Sequence, residues 1–301
     1  MFSPSLSRAL TLVFTCSLLS AVPFATAGTS SRPNEIGNLG LWLIAGDLAA
    51  SHRDGQVVTL WPDRSGNGYD AIYEGRIPQA GLVTGLHNPP TYKNNALGGN
   101  PAVAFDATNR ESLILNWAGH ALGQKTSGFT AVFLVRPTLD NYGPPPTPDS
   151  SWTKYRYLFL THVSNYNSRM SVQIVEGTGE VKLFSRPVPA QQRVTQNSSF
   201  ADGEQHALTG DTWHRLMVTL DYKAKVARIV MDGKVLTRAL PPDSADTFED
   251  VPSPITGIGS TTLGDWLTCQ LTEMMCYNRA LTVEELQSLD RYLLDKYQLK
   301  P

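Results

Sequence analysis

The chain has 301 residues, 17% of them charged and 41% hydrophobic, with 24 Gly and 20 Pro. That is apolar material for a sizeable core broken often by turns, and it excludes a chain disordered throughout. Arg8 is the only charge in the first 27 residues, so the remainder carries 24 basic against 27 acidic residues, a balance that excludes a basic field for nucleic acid or anionic lipid.

Residues 1–27 read as an export signal. Arg8 precedes an apolar stretch over 9–21, and Ala25-Thr26-Ala27 supplies the small residues a signal peptidase needs before Gly28. The stretch is shorter than the ~20 apolar residues of a spanning helix and is followed by Pro23. The expectation is a secreted product, extracellular or periplasmic, without membrane insertion. Residues 28–38 read as a linker and 39–301 as the domain.

Short β-rich runs then recur between turn signals, at 40–44, 57–61, 102–105, 129–135, 157–163, 171–175, 181–184, 213–220, 226–231 and 271–277. Regularly punctuated strands without intervening helices predict an all-β, two-sheet antiparallel sandwich. The run Phe129-Thr-Ala-Val-Phe-Leu-Val135 is apolar almost throughout, as in a strand buried on both faces. Met231-Asp-Gly-Lys234 and Val175-Glu-Gly-Thr-Gly-Glu-Val181 are hairpin turns. Three long loops, 140–154, 185–211 and 241–254, interrupt the pattern.

The terminal segment predicts a helix. Thr282 caps the free amides, Glu285 completes a capping box, and Leu286, Leu289, Leu293 and Tyr297 share one face that should dock on the sandwich. Cys269, just before the last strand run, and Cys276, within it, are expected as free, buried thiols. Seven strand residues span roughly 23 Å and put the two on opposite faces, whereas a disulfide needs Cα atoms about 4.4–6.8 Å apart.

Six motifs follow one another in order: Leu39-Gly-Leu-Trp-Leu-Ile44, Leu60-Trp-Pro-Asp-Arg-Ser-Gly-Asn-Gly-Tyr-Asp-Ala71, Leu97-Gly-Gly-Asn-Pro-Ala-Val-Ala-Phe-Asp106, Asp211-Thr-Trp-His-Arg-Leu-Met-Val-Thr-Leu-Asp221, the Met231–Lys234 hairpin, and Glu273-Met-Met-Cys-Tyr-Asn-Arg-Ala-Leu281. Together they resemble the laminin G-like branch of the concanavalin A-like lectin/glucanase superfamily, as found in exported bacterial proteins. The resemblance implies a jelly roll with one concave sheet. It does not settle function, because that superfamily includes sugar binders, hydrolases, lyases and adhesion modules.

Each candidate site has a functional and a structural reading. Asp63 and Asn67 could give oxygens to Ca²⁺, as could Asp243 and Asp246 in the acidic loop; the structural readings are an Asx turn and a solvated loop. Tyr142, Trp152, Tyr155 and Tyr166 lie on or beside long loops and could stack on sugar faces. Glu273 is a lone carboxylate alternating with Met275 and Tyr277, either a ligand contact or a buried, satisfied group. Trp213-His214 reads as the start of a core strand.

The Glu-x-Asp-x-Glu pattern of the superfamily's glucanases, a Gly-x-Ser-x-Gly elbow and a His-Glu-x-x-His zinc motif are all missing. The reading is a non-catalytic module for a polysaccharide or other glycan. A glycoside hydrolase or polysaccharide lyase on the same fold, and an adhesion domain for a cell-surface protein, remain as alternatives.

Overall fold

The computed structural model describes residues 30–73, 88–116, 126–140, 155–161, 170–185, 196–198, 207–240, 246, 255–258 and 267–300. The expected export signal therefore lies outside the described residues. The strands are β1 Leu39–Ile44, β2 Leu60–Trp61, β3 Ala71–Ile72, β4 Thr91–Leu97, β5 Asn100–Phe105, β6 Leu113–Asn116, β7 Gly128–Pro137 and β8 Tyr155–Thr161. They continue as β9 Met170–Val175, β10 Val181–Ser185, β11 Gln196–Ser198, β12 His214–Asp221, β13 Val226–Met231, β14 Lys234–Ala239, β15 Ile255–Ile258 and β16 Cys269–Tyr277. One α-helix among the described residues, α1 Val283–Tyr297, closes the chain.

The first sheet runs β14-β13-β12-β7-β16-β5-β4, with β1 also paired to β16, and the second runs β11-β10-β9-β8-β15-β6-β3-β2. All strand pairs are antiparallel. The expected two-sheet sandwich is the observed one. Its strand alternation sorts side chains into two apolar layers. Phe129, Ala131, Phe133 and Val135 of β7 pack with Leu216, Val218 and Leu220 of β12 against Leu113, Leu158, Phe159, Val172 and Ile174 of the second sheet. The intervening Val132 and Leu134 point the other way, into a second layer with Met217, Met275 and Leu286, Leu289 and Leu293 of α1.

The first sheet is therefore covered on both faces, which is why β7 reads as a continuous apolar run. The capping box at Thr282 and Glu285 forms as expected, and Arg279 adds a two-pronged ion pair to Glu285. The segment read as a linker packs on this side too: Tyr277 donates to the Pro33 carbonyl at 3.1 Å and the Ser31 amide to Ser288 Oγ at 2.6 Å.

One expectation needs correcting. β16 contains a bulge at Thr272, between Leu271 paired with Val135 and Glu273 paired with Leu134. An extra residue reverses the alternation beyond it. Cys269, Leu271, Met274 and Cys276 thus face the sandwich core, and the two cysteines lie on the same face, not on opposite ones. Both are free and buried, with strand length and not face keeping them apart. Within the expected run 57–61, only Leu60–Trp61 is strand; Val57 makes an isolated bridge to Thr91.

Candidate ligand-binding face

The outer face of the second sheet presents a polar row. Val172 and Ile174 of β9 point into the core, so Ser171 and Gln173 point out. Cross-strand pairing sets Gln173 between Tyr157 on β8 and Lys182 on β10. Gln173 Nε2 donates to Ser171 Oγ at 2.8 Å. Tyr157, Ser171 and Gln173 are all buried, and Lys182 Nζ lies 4.0 Å from Glu180. Ile114, paired with Gly257 and Ile72, continues the face toward β3. An amide, hydroxyls and an ammonium beside a phenol ring can exchange hydrogen bonds with a polyhydroxylated ligand and pack on its C–H surface. None of these residues was singled out from sequence as a binding residue. The available signal was polar Ser171 and Gln173 alternating with apolar Val172 and Ile174.

Of the sequence-derived aromatic candidates, Tyr142, Trp152 and Tyr166 lie outside the described residues. Tyr155 opens β8, its backbone in register with Val175 and two positions from the Tyr157–Gln173 pair.

Glu273 lies elsewhere. Beyond the Thr272 bulge it faces α1, with the first sheet between it and the polar row. Its carboxylate accepts from Trp42 Nε1 at 2.6 Å, Tyr297 OH at 2.6 Å, Lys296 Nζ at 2.7 Å and Tyr292 OH at 3.0 Å. Burial, then the charge of Glu273 beside them, pushes both tyrosine hydroxyls far above their usual range, so they remain donors. A side chain with no exposed surface and four donors is the satisfied structural group of the two readings. It ties β16, β1 and α1 together.

Asp63 also serves as an anchor. Oδ1 accepts from the Trp42 and Ser65 amides at 3.0 and 2.9 Å, and Oδ2 from Ser65 Oγ and the Tyr69 amide at 2.7 and 3.1 Å. The Arg64 amide donates to the Trp42 carbonyl at 2.7 Å, and Asn67 Nδ2 donates to the Gly40 and Leu39 carbonyls at 3.0 and 3.1 Å. The loop thus pairs the outer edge of β1 as a neighbouring strand would. Gly66 and Gly68, at φ 89° and 73°, supply its left-handed turns. A cation here would have to displace protein donors from both oxygens of Asp63.

Asp243 lies outside the described residues. Asp246 pairs with Lys225, at the turn between β12 and β13, and shares no partner with Asp63. No group of three or more His, Cys, Asp or Glu side chains among the described residues is placed to hold a metal ion.

A close acidic pair occurs in the turn from β5 to β6. Glu111 Oε2 accepts from the Asp106 amide at 2.9 Å, and Asp106 Oδ1 accepts from the Thr108 amide and hydroxyl. Burial raises the Glu111 carboxyl to about 7. Both carboxylates serve as staples of the turn.

No protein-family model matches the chain, and no curated protein matches it. Solved structures do. The binding domain of Paraclostridial Mosquitocidal Protein 1 aligns at TM-score 0.52 and 14% identity over 88% of this chain and 54% of that one. Domain 4 of AbnA, a GH43 extracellular arabinanase from Geobacillus stearothermophilus solved with arabinotriose, aligns at 0.52 and 13% over 84% of this chain and 98% of that one. The binding domain of Botulinum neurotoxin DC, solved with rat synaptotagmin II, aligns at 0.51 and 12% over 87% and 52%. The chain spans about half the length of the two toxin domains and nearly all of the arabinanase domain. At these identities the likeness is one of fold: a β-sandwich.

Proposed function

We propose that this chain is an exported glycan-binding module of laminin G-like type that binds without catalysing a reaction. The observation that carries this reading is the asymmetry of the sandwich. The outer face of the first sheet is an apolar layer closed by α1, whereas that of the second is polar, carrying the Tyr157–Gln173–Lys182 row with Ser171, of which Tyr157, Gln173 and Ser171 are buried. Among the described residues that row brings one carboxylate, Glu180 beside Lys182, whereas glycoside hydrolysis ordinarily needs two facing the scissile bond. Support comes from the arabinanase domain, whose whole length matches this fold and which was solved with a bound arabinotriose. Tyr155, which opens β8, together with Tyr142, Trp152 and Tyr166, supplies sugar-stacking rings in this reading. A cell-surface protein as partner is the second reading, favoured by the toxin domain solved with synaptotagmin II.

The test is a glycan array probed with purified protein, with and without calcium, beside a reducing-end release assay on the same polysaccharides. Binding to at least one glycan family is expected, weakened about tenfold or more by Lys182→Ala or Trp152→Ala with the melting temperature nearly kept. An array without hits, with capture by a surface receptor, favours the protein partner. Release of reducing ends would overturn the non-catalytic reading. For export, N-terminal sequencing of the mature product should begin at Gly28.

A further inference from the structure

The loop 207–213 joins the two sheets at one end of the sandwich. On the second-sheet side, Ala207 bridges Glu180 and the Leu208 amide donates to the Gly179 carbonyl at 2.9 Å. On the first-sheet side, the Asp211 amide donates to the Pro137 carbonyl at 2.7 Å, and Arg136 Nε to the Asp211 carbonyl at 3.0 Å. Between these anchors sits the imidazole of His214, buried at the start of β12. Its Nδ1 is 2.7 Å from Asp232 Oδ2. Its Nε2 is 3.0 Å from the Thr209 amide nitrogen, 3.1 Å from the Thr209 carbonyl oxygen and 3.1 Å from Thr209 Oγ1.

These contacts cannot all be made at once. A backbone amide only donates, so the Thr209 N–H is satisfied only by an Nε2 that carries a lone pair, with the ring proton on Nδ1 donated to Asp232. A backbone carbonyl only accepts, so the Thr209 C=O is satisfied by the ring only when Nε2 carries a proton. One ring nitrogen thus faces a donor and an acceptor of the same residue, and its protonation decides which is paired.

We propose that His214 is a proton-operated latch between the two sheets: neutral, it accepts from the Thr209 amide; protonated, it donates to the Thr209 carbonyl and releases that amide. The proton comes from solvent on the side of Thr209, which is exposed. The imidazolium keeps Asp232 as its counter-ion. Burial acts to raise that carboxyl, but hydrogen bonds from His214 and the Arg215 amide prevail and hold it below the usual carboxylate range. Other charges around the loop are arranged in pairs of their own: Arg136 with Asp211, Lys182 with Glu180, Arg156 with Glu176, and Arg215 with Asp290 beneath α1. The change is local to Thr209, whose amide loses its acceptor while the Leu208–Gly179, Asp211–Pro137 and Arg136–Asp211 bonds on either side hold the rest of the loop.

The test uses ¹⁵N-labelled protein followed by NMR from about pH 8 to pH 5, the range in which histidine ordinarily changes charge. The neutral ring should carry its proton on Nδ1. Amide exchange at Thr209, corrected for intrinsic rate, should speed up about tenfold or more with the same midpoint as the ring, while Val218 in mid-strand stays protected. Asp232→Asn should move that midpoint down by removing the counter-ion. A neutral ring protonated on Nε2, a Thr209 amide whose protection ignores the titration, or a midpoint unmoved in Asp232→Asn would each overturn the latch.

Discussion

Trp42 and Glu273, 231 residues apart in sequence, are joined by a 2.6 Å hydrogen bond from indole N–H to carboxylate. Through it the first strand, the last strand and the terminal helix share one buried charge. Glu273→Leu would leave the Lys296 ammonium, an indole and two phenols without their acceptor. We expect a loss of about 3–5 kcal/mol, the usual cost of breaking a buried pair, read by urea unfolding. Glu273→Gln keeps the shape and should cost less. Glycan affinity of whatever folds should be unchanged, because the first sheet separates Glu273 from the polar row; a selective loss of binding with normal stability would return Glu273 to the ligand site.

The Asp63 anchor makes a separate prediction. Asp63→Ala removes four accepted hydrogen bonds, two of them from backbone amides of the loop and one from the Trp42 amide. It should destabilise by roughly 2–4 kcal/mol and expose the β1 edge, raising aggregation on heating. Millimolar calcium or EDTA should leave the melting temperature of the parent protein unmoved. A clear rise with calcium would mean that the ion displaces these donors.

Glu111 predicts a pH dependence with a definite sign. Its folded value is raised from 4.5 to about 7 by burial, so the folded state holds a proton that the unfolded chain has already lost. Its contribution is full at low pH, falls as pH rises from about 4.5 to 7, and is flat above. Glu111→Gln should remove this slope and gain roughly 1–3 kcal/mol relative to the parent at pH 8. Denaturant melts at pH 5 and pH 8 decide it, and parallel shifts of parent and variant would sink the assignment.

Gly128 opens β7 where the chain passes beneath the turn into α1. A Cβ there would stand 2.6 Å from the Ala280 nitrogen and 2.7 Å from the Leu220 carbonyl oxygen, backbone atoms on two different elements. Gly128→Ala should therefore cost at least about 2–3 kcal/mol or yield insoluble protein. Gly55→Ala is the comparison: its Cβ meets nothing within 4 Å, and the penalty is confined to its φ of 77°.

Much of the fold is legible in the chain because its signals are local. The capping box needs only Thr282 and Glu285, three residues apart, and the side chains meet as soon as one helical turn forms. The Asp232-Gly233 turn likewise needs two residues able to take positive φ, and it forms at 49° and 81°. The unbroken apolar run of β7 already implies burial on both faces. Strands without such marks escape. Thr-Tyr-Lys-Asn-Asn-Ala-Leu of β4 and Lys-Val-Leu-Thr-Arg-Ala of β14 lie at the two ends of the first sheet's strand order, where one side of the strand needs no apolar partner.

Propensity, capping and alternation act over a few residues, and they mark the helix, the hairpin turns and the strands that are apolar or regularly alternating. Which face each side chain serves is settled when the strands pair and the sheets pack. The Thr272 bulge, set by pairing with β7, turns Glu273 from the core toward α1 and brings Cys269 and Cys276 to one face. The same holds for Asp63, whose partners include the Trp42 amide of another strand, and for the row of Tyr157, Gln173 and Lys182, which exists only once β8, β9 and β10 are in register. Such relations depend on backbone groups and strand offsets far apart in the chain, and no local residue pattern encodes them.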